Sequence, residues 1–182
     1  MARRSPRREI LNQLINSFWT VLSFTPVVWF WIKDGINLYF YLSLEISVII
    51  GVLPEKIYKL LTLSSRRNVY EKLGVKQIRK LVQNGTVVNA VTNNQKRFVV
   101  TGVSQAKQYL TTIAMYERFH WVCFTFFLLT GIRCFWVGDF KLGLLITATN
   151  ISYNVCSILL QQYNKLRIHK MTGHSVVRIT KT

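Results

Sequence analysis

Glu117 and His120 stand three residues apart, where Phe119 and Trp121 open a hydrophobic run. On a helix that spacing places both on one face. A carboxylate beside an imidazole raises its basicity and can orient it, as general-base catalysis requires. The same pair also suits a structural role at headgroup level, where His and Trp are common. A second pattern lies further on. Gly143, Thr147, Asn150, Asn154, Ser157 and Gln161 step by three or four, so a regular helix lines them up on one narrow face. Leu144, Leu145, Ile151, Val155, Ile158 and Leu159 cover the remainder. Amide side chains inside a bilayer are costly unless they meet a protein partner or a water-filled cavity. The stripe therefore faces a pocket or a bundle interior. It leads into a polar exit, Gln161-Gln162-Tyr163-Asn164-Lys165-Leu166-Arg167, and chemistry is expected where stripe and membrane surface meet.

These residues need elements to hold them. Half of the 182 residues are hydrophobic, yet Lys and Arg number 24 against 7 Asp and Glu. Apolar stretches at about 14–32, 36–53, 119–137 and 140–160 are each near bilayer-spanning length. Of the 24 basic residues, 21 lie before the first stretch, between the second and third, or after the fourth. The turns near Lys33-Asp34-Gly35 and Gly138-Asp139-Phe140-Lys141 are almost neutral. The positive-inside rule then puts both termini and residues 54–118 in the cytoplasm. The expectation is an all-α membrane protein, one domain over 1–182, with four transmembrane helices as two hairpins and a cytoplasmic amphipathic-helix segment between them. The third and fourth spans run in opposite directions, which places Glu117, His120, Gln161 and Tyr163 at similar depth.

Charge of this kind would otherwise suggest nucleic acid, but topology accounts for it and no recognition motif accompanies it. Anionic headgroups are the expected use of the residual positive field. The first stretch is long and aromatic, with Phe18, Trp19, Trp29, Phe30 and Trp31, and reads as a retained anchor. Trp31, Tyr39, Trp121 and Trp136 suit interfacial belts. Cys123, Cys134 and Cys156 lack metal-ligand spacing and read as packing residues, so no metal site is expected. Residues 68–83 alternate apolar and basic side chains at helical spacing, interrupted by Gly74 and ended by Asn84-Gly85, as in a helix lying in the headgroup plane or an ordinary solvated one. Asn93-Asn94 reads as a turn before a strand-like Arg97–Val100, and Ser104 as the N-cap of a helix running to 137. Glu45 sits mid-span, as a functional carboxylate or a neutral one facing the Asn stripe. Arg133 is expected to snorkel toward Asp139.

Tyr116-Glu117-Arg118-Phe119-His120-Trp121, a hydrophobic hairpin, then Asn154 and Gln161-Gln162-Tyr163-Asn164-Lys165-Leu166-Arg167 together resemble the glycosyl-4,4'-diaponeurosporenoate acyltransferase family of small bacterial membrane proteins. A block around Tyr70-Glu71-Lys72-Leu73-Gly74-Val75 and Lys80–Gly85 is also similar, in a form close to uncharacterised members from Bacteroidota-type bacteria. Asn84 stands where many relatives carry an acidic residue, and Cys156 or Ser157 where a proline is usual. The resemblance implies fatty acyl transfer to a hydroxyl of a glycosylated carotenoid or other glycolipid in the bacterial inner membrane. His120 would be the base and Glu117 its orienting partner. Asn150, Asn154, Gln161, Tyr163 and Asn164 would hold the sugar or oxyanion. Arg167 would attract the phosphates of an acyl-carrier thioester donor, with no resident cofactor. The alternative is a non-catalytic membrane subunit that binds lipid or pigment, or anchors protein partners, with the amides as helix–helix glue.

Overall fold

The structure, a computed structural model, describes residues 6–82 and 103–179, and these are helical with no strand among them. In chain order the elements are α1 (Pro6–Asp34), α2 (Leu38–Val52), α3 (Glu55–Leu60), α4 (Arg67–Lys72), α5 (Val75–Leu81), α6 (Val103–Trp136), α7 (Phe140–Asn150) and α8 (Cys156–Ile179). A π turn, Ile151–Val155, joins α7 to α8 in one continuous rod. The Asn84-Gly85 stop, the Asn93-Asn94 turn and the strand-like Arg97–Val100 lie outside the described residues.

Residues Glu9–Asp34, Gln105–Trp136 and Phe140–Lys170 form helices long and apolar enough to cross a membrane. The second apolar stretch is shorter than expected. Asn37 caps α2 by accepting the Tyr39 and Phe40 amides, and Pro54 ends it, leaving fifteen residues. That is about 22 Å of helix, against a hydrocarbon core of about 30 Å. By contrast α6 runs for 34 residues, about 50 Å. It starts at Val103, so Ser104 lies in its first turn and does not precede it.

The core sits where α1, α6 and α7 meet, around Val27, Phe30, Trp31, Phe127, Cys134 and Ile146. Trp31 is buried here and its indole donates to Thr130 Oγ1 at 3.1 Å, so it is a core residue and not part of an interfacial belt. Cys123 and Cys134 are buried free thiols, consistent with packing. Gly143 lets α7 approach α6 closely, since a Cβ there would come within 2.8 Å of the Phe135 ring. The outer faces of α1, α2, α6 and α7 carry exposed Phe18, Trp29, Leu42, Ile49, Leu128 and Leu144, the surface expected of a body embedded in lipid. Glu45 is exposed on this outer face of α2 and does not turn to the Asn stripe.

The two reversals are tied together. Lys33 Nζ lies 2.9 Å from Asp139 Oδ2, and Arg133 Nε 3.1 Å from Asp34 Oδ2. Arg133 therefore pairs with Asp34, and it is Lys33 that reaches Asp139. At the opposite end, Gly74 adopts φ +77°, which only glycine does without strain, and separates α4 from α5. The bend turns Tyr70 and Val75 onto Leu160 and Tyr163 of α8, so this helical pair docks on the end of the last rod.

Candidate active site

The π turn decides which face of the last rod is functional. Up to it, α-helical spacing holds: Gly143, Asn150 and Asn154 are buried, although Thr147 is exposed and bonds its own Gly143 carbonyl at 2.8 Å. Within the turn the Cys156 amide reaches back five residues to the Ile151 carbonyl. One extra residue per turn shifts every later position by one. The buried face beyond the turn therefore continues through Ile158 and Gln162, while Ser157 and Gln161 are half-buried.

Asn150 and Asn154 form a directed hydrogen-bond chain. Asn150 Nδ2 donates to the Phe124 backbone carbonyl at 3.1 Å. A carbonyl can only accept, so the Asn150 amide must present Nδ2 there and Oδ1 elsewhere. That Oδ1 accepts from Asn154 Nδ2 at 2.9 Å, which leaves Asn154 Oδ1 facing His120 Nδ1 at 3.2 Å. An acceptor oxygen on Nδ1 requires a proton on Nδ1 in the neutral ring. The lone pair is then on Nε2, which has no hydrogen-bond partner among the described residues. The chain thus fixes the tautomer that leaves Nε2 as a base. His120 packs edge-on against Tyr153 with centroids 5.3 Å apart, and Tyr153 meets Thr20 of α1 at 3.3 Å. At the next position the Trp121 indole nitrogen is buried without an acceptor among the described residues, and its ring packs on Phe124 with centroids 5.5 Å apart.

Glu117 joins a different set. Its carboxylate is 1% exposed, accepts from Gln162 Nε2 at 3.0 Å through Oε1, and pairs with Lys165 through Oε2. Gln162 is held at both ends of its amide. Its Nε2 also donates to the Leu61 carbonyl at 3.2 Å, and its Oε1 accepts the Leu63 amide at 3.1 Å and lies 3.0 Å from the Tyr70 hydroxyl, whose single proton it shares with the Ser64 carbonyl at 2.9 Å. Tyr70 also takes the Ser64 amide at 3.0 Å, and burial pushes its phenol above the usual range. Together these bonds strap the 61–66 loop across α6 and α8. The carboxylate expected to orient His120 has Gln162 and Lys165 as its partners among the described residues.

Tyr163 belongs to a third cluster, at the α4–α5 end. Its hydroxyl lies 3.1 Å from Glu71 Oε1 and 3.4 Å from Arg67 Nη2. Glu71 also meets Lys76 at 2.8 Å, and that ammonium, with Tyr163 and Arg67, holds the carboxylate below its usual range. Arg167 lies with its Cζ 5.9 Å from the Tyr163 ring, while Asn164 is half-buried on α8. The structure thus brings His120, Asn150 and Asn154 together, sets Tyr163 with Arg167, and gives Glu117 to a separate network.

Sequence reasoning passed over Gln162, Lys165, Tyr70 and Arg67. Gln162 was legible only to a reader who expected the π turn. Lys165 stood in the polar exit, counted as charge and not as a partner for Glu117.

Comparison with curated proteins and with solved structures finds no match. A family model described as glycosyl-4,4'-diaponeurosporenoate acyltransferase matches residues 54–174, which include the His120 chain, the Glu117 network and the Tyr163 cluster. The matched region is well over half of the sequence, and the chain belongs to the glycosyl-4,4'-diaponeurosporenoate acyltransferase family.

Proposed function

We propose that the protein transfers a fatty acyl group from an acyl-carrier thioester to a sugar hydroxyl of a glycosylated carotenoid or other glycolipid. One observation carries this reading: the Phe124–Asn150–Asn154 chain, which holds His120 in the tautomer with a free Nε2. Nε2 takes the proton of the sugar hydroxyl, and the resulting oxygen nucleophile attacks the thioester carbonyl. The tetrahedral intermediate collapses to the ester, and the departing thiolate recovers the proton from the imidazolium. Asn154 and Asn150 are positioning residues in this scheme. Glu117 acts at a distance, by holding α8 against α6 through Gln162 and Lys165.

In the same reading the chain crosses a bacterial inner membrane four times as two hairpins, α1–α2 and α6 with α7–α8, with both termini cytoplasmic. The Lys33–Asp139 and Arg133–Asp34 pairs support this, because they bring both reversals to one end. The charge count supports the orientation. The short α2 crosses with local thinning of the bilayer.

The test is direct. Purified protein in nanodiscs, given an acyl-carrier thioester and a glycosylated carotenoid, is expected to yield an ester detectable by mass spectrometry, and His120→Ala to abolish it. Undiminished product from that variant would remove His120 from the mechanism.

A further inference from the structure

Tyr163 has a guanidinium near its ring from each of two elements. Arg67 Cζ, from α4, is 5.5 Å from the ring centroid, and Arg167 Cζ, one turn further along α8, is 5.9 Å. Contact with an aromatic ring steadies a guanidinium without consuming its N–H donors. Arg67 spends one nitrogen, Nη2, at 3.4 Å from both Glu71 Oε1 and the Tyr163 hydroxyl. Its Nε is buried and has no acceptor among the described residues. Arg167 has no hydrogen bond or ion pair among the described residues. Arg67 and Lys76 share a single carboxylate, Glu71, and Arg167 stands near the same Tyr163 ring with no acid of its own among the described residues, so two positive charges are left over. Lone carboxylates do not answer such a surplus well. A phosphoryl group does, with up to two charges and oxygens spaced to match guanidinium forks.

We infer that Arg67 and Arg167, braced on Tyr163, bind a phosphoryl group. The site lies nine residues beyond Asn154 on the last rod, about 13 Å along the axis. An anion held there leaves room for an extended arm to reach His120. The identity of that arm as the acyl donor rests on the acyl-transfer reading; the phosphoryl site itself does not. A lipid phosphate at the membrane rim offers the same chemistry.

Calorimetric titration of the full chain in phosphatidylcholine nanodiscs separates these sources, using coenzyme A and pantetheine, which lacks the phosphates, as probes. Binding of coenzyme A and not pantetheine, weakened about tenfold or more by Arg67→Gln with Arg167→Gln, supports the site with a soluble donor as its source. Affinity for phosphatidylglycerol in mixed nanodiscs, weakened by the same pair of changes, supports it with a headgroup as source. Arg167→Lys, which keeps the charge and loses the fork, is expected to fall between wild type and the double variant and guards against misfolding. Equal binding of both probes and of both lipids by wild type and the double variant would overturn the inference. Since no acyl group is transferred in these titrations, their result is independent of whether His120 catalyses anything.

Discussion

Glu117 and His120 sit one helical turn apart on α6, and the two are satisfied in opposite ways. Around Glu117 the bonds close on themselves: its two oxygens meet Gln162 and Lys165, and Gln162 has used both donor hydrogens while its oxygen holds the Leu63 amide and shares the Tyr70 proton with the Ser64 carbonyl. Around His120 the chain runs one way, from a backbone carbonyl through two asparagines to Nδ1, and stops with Nε2 open. A saturated network has nothing left to give a substrate, and it makes a rigid joint. A chain ending in an unused lone pair is arranged for something absent from the protein itself. Residue type alone would have ranked the buried carboxylate as highly as the imidazole. Counting valences separates the joint from the candidate base.

The sharpest way to break this contrast is to remove each group in turn. His120→Ala is expected to cut acyl transfer by roughly 10²- to 10⁴-fold, the range for losing a general base. Its melting temperature should fall only modestly, because the ring makes one hydrogen bond, to Asn154, whose loss costs about 1–3 kcal/mol. Glu117→Ala is expected to do the reverse. Stripping one partner from a buried, hydrogen-bonded pair costs about 3–5 kcal/mol, read as a lower melting point in detergent or nanodiscs. The folded fraction should keep turnover within an order of magnitude. Turnover abolished by Glu117→Ala at unchanged melting temperature would merge the two centres into one catalytic unit.

The contrast was only half visible in the sequence. Helical spans, the Gly74 break, the burial of Asn150 and Asn154 and the nearness of α6 to the last rod all follow from periodicity and charge placement, since these depend on local chemistry. The pairing of Glu117 with Gln162 did not, because a π turn inserts one residue into the repeat and no residue type announces it. Extrapolating the stripe at 3.6 residues per turn lands on Gln161, one position short. Arg133 was assigned to Asp139 for a related reason. Both Asp34 and Asp139 sit at the same end, and only the packing of α1 against α6 and α7 decides which cation reaches which acid. Tyr163 looked like a sugar ligand from its place in a motif, yet its neighbours come from α4, 92 and 96 residues away.

Asn154 tests whether the open end of the chain depends on its buried start. Asn154→Leu keeps the volume roughly constant but removes the acceptor that places the proton on Nδ1. A buried hydrogen bond of this kind is worth about 1–3 kcal/mol, so turnover should fall by one to two orders of magnitude. The Michaelis constant for the glycolipid should hold, because in this scheme Asn154 touches the imidazole and not the sugar. Nitrogen chemical shifts of His120 would report the tautomer directly. Wild type should show a protonated Nδ1, and the variant a mixture. A mixture already present in wild type would mean the chain does not set the base.

The smallest effect belongs to the cluster furthest from His120. Lys76, Tyr163 and Arg67 hold the Glu71 carboxylate below its ordinary value of 4.5. A carboxyl group that binds protons less readily when folded adds stability above its unfolded pKa. That contribution is complete above about pH 4.5 and drains away as pH falls through the lower folded value. Because Glu71 links α4 to Tyr163 and Lys76, what acid should loosen first is the docking of α4–α5 on α8, while the Val27–Phe127 core holds. Amide hydrogen exchange over residues 67–81 should therefore quicken below pH 4.5, after correction for intrinsic rates, with exchange in α6 near Phe127 unchanged. Glu71→Gln should exchange faster at neutral pH and lose the acid dependence. If the variant kept that dependence, Glu71 would not be the acid-labile joint, and the division between a rigid lock and a loosely held rim would have to be redrawn.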